Sequence, residues 1–220
     1  MVVAVVNNTK LKKCVLTKSC CRKVEMKRIK YNSPVVLTFA IISLLALGLS
    51  SLSDGGSNRL MFSVYGNNWG SPMHYFRLLA HSLGHANVQH LSGNILLMLL
   101  VGPSVEERYG SLRLLCMMLG TSLVIGLISV LVQPTIMLLG ASGIVFMLII
   151  LNSFGSSDRG MIPVTLILVV IVYLGQEVFV GVQNILGTTE DSISQLAHIV
   201  GGLCGLLFGF IFRSDRKNEE

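Results

Sequence analysis

The chain reads as an all-α polytopic membrane protein, a bundle of six transmembrane helices. Three observations predict this. Of its 220 residues, 52% are apolar and 13% are charged, against roughly 25% charged in soluble domains. Mean hydropathy is +0.70. Five apolar stretches, at about 35–53, 112–132, 135–153, 161–178 and 194–212, each come near the roughly 20 residues a spanning helix needs. No other stretch approaches domain size. The expected organisation is a basic head over 1–34, a membrane domain over 35–212 and a short tail over 213–220.

The head comes first. Nine of the 17 Lys and Arg residues lie between Lys10 and Lys30. Such a cluster directly before an apolar run marks a cytoplasmic flank and suits contact with anionic lipid. Nucleic acid is not expected as a partner, because no aromatic stacking platform accompanies the charges. The head is too long for a signal-peptide n-region and no A-x-A site follows, so the first run is read as a retained anchor. Cys14, Cys20 and Cys21 match no zinc spacing. Facing a reducing compartment, they are read with Cys116 and Cys204 as reduced, silent thiols.

The second span is the least obvious, at about 83–102. Its second half is apolar, but its first half carries His85, Asn87, Gln89, His90, Ser92 and Asn94. Charge parity argues that it crosses. With six spans and the N-terminus inside, Arg108, Arg113, Arg159, Arg213, Arg216 and Lys217 join the nine head basics on the inner side. That places 15 of 17 there, leaving only Arg59 and Arg77 outside. Without the polar span, the division becomes nine and eight. The positive-inside rule favours six. Both termini are then cytoplasmic, and the protein belongs in the cell membrane.

A polar helix in a bilayer must face a bundle interior or a wet cavity. The second, fourth and sixth spans all run inward, so the polar end of the second, Ser142 in the fourth and His198 in the sixth gather toward the outer leaflet. At 1.5 Å per residue, Ser142 and His198 both fall on the order of 10 Å below the outer helix ends. Ionisable groups at such depth are costly and usually functional. Ala197, Gly201, Gly205 and Gly209 recur every four residues, a small-residue stripe that lets backbones approach closely. Gly140 and Gly143 offer a matching thin surface beside Ser142.

These residues, taken in order, resemble the rhomboid family of intramembrane serine proteases. Gly140-Ala141-Ser142-Gly143 is similar to the family's G-x-S-G. Ala197-His198-Ile199-Val200-Gly201 with Gly205 is similar to its A-H-x-x-G-x-x-x-G. His85 to Asn94 is similar to its H-x-x-x-x-H-x-x-x-N. Glu106-Glu107-Arg108 followed by Gly110 resembles the E-x-R element after the second helix, and Phe76-Arg77 stands where many members have Trp-Arg. The likeness covers about 35–212 and fits the compact six-span form. Phe146 stands where the family often has a tyrosine stacked on the histidine.

The resemblance implies peptide-bond hydrolysis in transmembrane protein substrates by a Ser142–His198 dyad. A serine hydroxyl becomes nucleophilic when a neighbouring base takes its proton. The acids Glu177, Glu190 and Asp191 lie toward the outer face and the other downstream acids inside, so a dyad is expected, with Phe146 orienting the histidine. His90 and Asn94 are i, i+4 on one helix face and both donate hydrogen bonds. With the Ser142 N–H they would form the oxyanion hole, supported by Gly140 and His85, while His81 holds the preceding loop. Glu106, Arg108, Gly201 and Gly205 are expected to be structural. The outer loop, about 54–80, is expected to lie in the membrane interface, and the fifth span to be the side gate for substrate.

Three other readings were weighed. His81, His85 and His90 could ligate a metal, but no acid lies in their span and H-E-x-x-H is absent; neither metal nor cofactor is expected. A histidine proton relay in a transporter would come with repeat symmetry, and none is visible. A catalytically silent rhomboid-like protein that binds client helices usually lacks the Ser or the His, and this chain has both. Substrate identity and oligomeric state are not encoded legibly.

Overall fold

Pro34 opens the first helix, α1 (Pro34–Leu52). Proline suits the first turn because the N–H it lacks would have no intrahelical partner there. The next two amides do need acceptors, and Ser33 at the N-cap makes no side-chain bond to them. A distant carboxylate does so instead. Glu106 Oε1 accepts from Val35 N at 3.0 Å and Oε2 from Val36 N at 3.1 Å. Ser111 Oγ donates to Oε1 at 2.7 Å. The carboxylate is buried, a position made tolerable by these donors and by the positive end of the helix dipole.

This is a computed structural model, and it describes residues 32–66, 68–154, 164, 167–168, 171 and 192–215. Outside the described residues lie the basic head with its three cysteines and nearly all of the fifth span. So do Arg159, Glu177, Glu190, Asp191, Arg216 and Lys217. After α1 come α2 (Gly56–Leu60), α3 (Pro72–Ala80), α4 (Val88–Tyr109), α5 (Ser111–Val132), α6 (Ser142–Ser153) and α7 (Ser192–Asp215). The bundle is all-helical. Among the described residues, four helices are long and apolar enough to cross a membrane: Pro34–Leu52, Val88–Tyr109, Ser111–Val132 and, within α7, Gln195–Phe212. The polar second span is among them, although its mean hydropathy of 1.3 lies well below the 2.4 of α1 and α5.

Two spans differ most from their expected bounds. The second span begins at Val88 rather than about 83, because Asn87 caps it: its Oδ1 accepts from His90 N at 2.8 Å. It then runs through Pro103 and stops only at Gly110, whose φ of +81° breaks the helix. Glu106 and Arg108 therefore sit in the last turn of α4, not after it. The fourth span differs more. A helix was expected from about 135, but α6 starts at Ser142. The apolar residues before it are extended and bonded to the outer loop. Val64 N donates to Leu138 O at 2.9 Å and Leu138 N to Val64 O at 3.0 Å; Gly66 N donates to Pro134 O at 2.6 Å. Hydropathy cannot distinguish this strap from a helix, since it reads the composition of a run and not its backbone hydrogen bonding.

The 12 residues of α6 rise only about 18 Å, short of the roughly 30 Å hydrocarbon core. The helix is central: it packs most extensively on α7, and also on α4 and α5. Its own Met147, Leu148 and Leu151 are fully buried, as are Met98 of α4 and Leu114 of α5. Leu44, Leu96, Leu100, Leu203 and Leu207 are each more than half exposed. These face outward, as helices bathed in hydrocarbon can.

Candidate active site

Gly140 sets up the start of α6. Its φ is +130°, a region that side-chain-bearing residues avoid, and its N–H donates to His81 O at 2.9 Å. Ser142 follows as the first residue of α6. It is therefore not reached along a helix from about 135, the path on which its depth was counted. No side chain caps α6, so its first amides, which have no intrahelical acceptor, end beside Ser142. A helix N-terminus of this kind favours negative charge.

The α6–α7 contact is made by backbone on backbone. A Cβ on Gly143 would lie 2.9 Å from Ala197 O. One on Gly201 would overlap the Gly143 carbonyl oxygen, and one on Gly205 would lie 2.7 Å from Met147 O. Ser142 adjoins Gly143 and His198 adjoins Ala197, so this contact brings the two together. The rings of Phe146 and His198 are 4.7 Å apart, tilted by 49°. Gly140 does not join this surface as expected. It faces α4, where a Cβ would lie 2.9 Å from His90 Cε1.

Ser142 and His198 line one cavity of about 390 Å³, together with Gln89, His90, Gly93, Asn94, Leu138, Leu139 and Phe146. Asn94 is 7% exposed, and its Nδ2 has no hydrogen-bond partner among the described residues. A buried amide donor without an acceptor costs about 1–3 kcal/mol, and here it borders the space beside a serine. His85 stands behind this wall. It is fully buried, its Nδ1 donates to Leu83 O at 3.1 Å, and its ring centroid is 5.2 Å from that of His90.

His81 ties elements together. Its Nε2 donates to Ser122 O at 3.0 Å, while its carbonyl holds Gly140. Burial lowers its pKa to about 4, against a smaller opposing pull from the Ser122 carbonyl. Among the described residues no group of three or more His, Cys, Asp or Glu side chains is placed to hold a metal ion. Glu106 and the exposed Arg108 lie away from the cavity, at the α1 end of α4. Sequence reasoning passed over Gln89, Gly93, Leu138 and Leu139 as lining residues. Gln89 and Gly93 had a usable signal, since they share the i, i+4 spacing of their neighbours His90 and Asn94.

The fold and cavity define a class: a helical membrane protein holding serine, histidine and amide side chains around one cavity. The Rhomboid domain family model matches residues 72–215, and the chain belongs to the rhomboid family. It is 30% identical over 145 residues to Rhomboid-related protein 1 of Caenorhabditis elegans, covering 62% of this chain and 39% of that one. RHOMBOID-like protein 4 of Arabidopsis thaliana is 33% identical over 143 residues, 62% of this chain and 34% of the relative. For Rhomboid-related protein 2 of Mus musculus the identity is 31% over 147 residues, 61% and 47%. The chain thus spans less than half the length of these relatives.

Proposed function

We propose that this protein is an intramembrane serine endopeptidase that cleaves transmembrane protein substrates. The observation that carries this reading is the shared cavity of Ser142, His198, His90 and Asn94. In the proposed reaction, Ser142 Oγ attacks the substrate carbonyl carbon as the His198 imidazole takes its proton. His198 then passes that proton to the amide nitrogen as the C–N bond breaks, leaving an acyl-serine. Water, deprotonated by His198, attacks the acyl carbon, and His198 returns that proton to Ser142 Oγ as the C–Oγ bond breaks, releasing the carboxylic acid product. Both tetrahedral intermediates carry an oxyanion, and the Ser142 N–H, Asn94 Nδ2 and His90 ring are the donors facing it. Phe146 holds the His198 ring, and Gly140 lets His90 approach. His85, Glu106, Arg108, Gly201 and Gly205 support the arrangement.

The wider reading comprises six spans over 35–212, both tails cytoplasmic, a site opening toward the outer leaflet of the cell membrane and substrate entry beside the fifth span. Charge parity and the family likeness support it. A serine-reactive fluorophosphonate probe and co-expression with a generic transmembrane substrate test the activity. Labelling and cleavage that vanish in Ser142→Ala and His198→Ala are the expected outcome. A folded wild-type protein that neither labels nor cleaves would instead be a client-binding relative.

A further inference from the structure

His74 is a titratable group that the proposed reaction does not use. It lies on α3 in the outer loop and is completely buried. Aromatic rings enclose its imidazole. The Trp69 ring stands edge-on with centroids 4.8 Å apart, and the Tyr75 ring does so at 6.1 Å. Tyr75 Oη donates to Trp69 O at 3.0 Å, which ties the two walls together. The cover is thin, since Trp69 and Tyr75 are themselves 40% and 53% exposed.

Neither ring nitrogen has a hydrogen-bond partner among the described residues. A neutral imidazole has one N–H donor and one acceptor, whereas the imidazolium has two donors and a charge. The enclosure therefore tolerates the neutral ring far better than the cation. The charge that acts on the ring is Arg77, three residues on, and its sign opposes protonation. The Arg77 guanidinium lies over Tyr65, with Cζ 4.4 Å from the ring centroid. Asp54 and Arg59 are the other charged residues of the outer loop. α1 and the strap over 134–141 contain no titratable residue. On α5, Leu78 packs at Gly126 and His81 bonds Ser122. Arg113 and Cys116 of that helix therefore lie past His81, away from His74. Burial first, and Arg77 second, lower the His74 pKa.

We propose that His74 is an acid-sensitive latch on the outer loop, whose protonation opens the cover formed by Trp69 and Tyr75. The closed loop binds a proton less readily than the open loop, in which the ring regains its ordinary value of 6.5. Closure is therefore fully favoured above pH 6.5. Below it the ratio of open to closed loop rises by up to about tenfold per pH unit, until the pH reaches the lowered pKa of the closed form. The proposal is independent of protease activity.

Trp69 is the chain's single tryptophan, so its fluorescence reports the latch. The full chain in micelles is titrated from about pH 8 to 5, across the range in which histidine charges. Acrylamide quenching is measured at each step, with far-ultraviolet circular dichroism to follow global folding. The wild-type quenching constant is expected to rise about twofold or more below pH 6.5 while helix content holds. His74→Phe, which fills the enclosure with an uncharged ring, should give a flat profile, and His81→Gln should retain the rise. Tyr75→Phe, which removes the bond to Trp69 O, should move the rise to higher pH. A flat wild-type profile would overturn the proposal, as would a rise that persists in His74→Phe or that follows a loss of helix content. So would dimming of Trp69 without any gain in quencher access, because the ring would then titrate with the cover closed. The wild-type profile and the Tyr75→Phe shift decide even if His74→Phe does not fold.

Discussion

Two helices in this bundle begin with amides that have no intrahelical acceptor, and they treat them in opposite ways. At the start of α1, the carboxylate of Glu106 receives the donors of Val35 and Val36. At the start of α6 no side chain takes that part, and the helix ends in a cavity beside Ser142. Unpaired amides in hydrocarbon are expensive. A fold that seals one helix end with a buried charge and leaves the other open is displaying where it needs structure and where it needs donors. The contrast separates two kinds of residue, and substitutions can break or sharpen it.

The largest effect is expected at the open end. Ser142→Ala should reduce cleavage by about 10⁴-fold or more with little change in thermal unfolding, measured by substrate cleavage and by scanning fluorimetry in micelles. Asn94→Ala should lower kcat by about 10²–10³-fold. Because Asn94 Nδ2 has no partner among the described residues, the melting temperature should hardly move. A large loss of stability in Asn94→Ala would contradict the reading of that amide as a waiting donor.

His81 holds the turn that precedes the open end. Its pKa in the fold, about 4, lies below its ordinary 6.5 because burial disfavours the imidazolium. The fold therefore carries the neutral ring, and its contribution is complete above pH 6.5. It is lost as pH falls from 6.5 toward 4, by at most about 3 kcal/mol. Unfolding free energy measured from pH 7 to 4.5 should fall accordingly, and His81→Gln should flatten the curve. An unchanged slope in His81→Gln would remove His81 as the cause.

The closed end should give the reverse pattern of Asn94. Glu106→Ala strands two amides and is expected to cost about 2 kcal/mol in stability, with kcat per folded molecule unchanged. The smallest effect is expected from Phe146→Leu. Removing a ring pair worth about 1 kcal/mol should lower kcat several-fold and broaden the pH profile of cleavage, while Phe146→Tyr should retain activity.

Much of this was legible in the chain. The polar residues of the second span, the glycine stripe around His198 and the small residues flanking Ser142 are local patterns, and local patterns survive into the fold. The limits of α1 and α5 were read to within one residue, because their apolar runs end at Ser, Gly and Gln. The start of α6 was not legible. Residues 135–141 are apolar enough to be helical, and what holds this stretch out of a helix is bonding to Val64, Gly66 and His81, more than 50 residues earlier in the chain. The capping role of Glu106 was hidden for the same reason, since its acceptor atoms serve amides some 70 residues away. The two short helices α2 and α3 were read as loop. Their brevity leaves them dependent on tertiary contacts for stability.

The strap before α6 has one more consequence. Four main-chain hydrogen bonds moor residues 134–140 to Val64, Gly66 and His81, so the serine hangs from the outer loop as much as it stands on its own helix. A shift of that loop would therefore be carried to Ser142 through main-chain hydrogen bonds, without passing through a side chain.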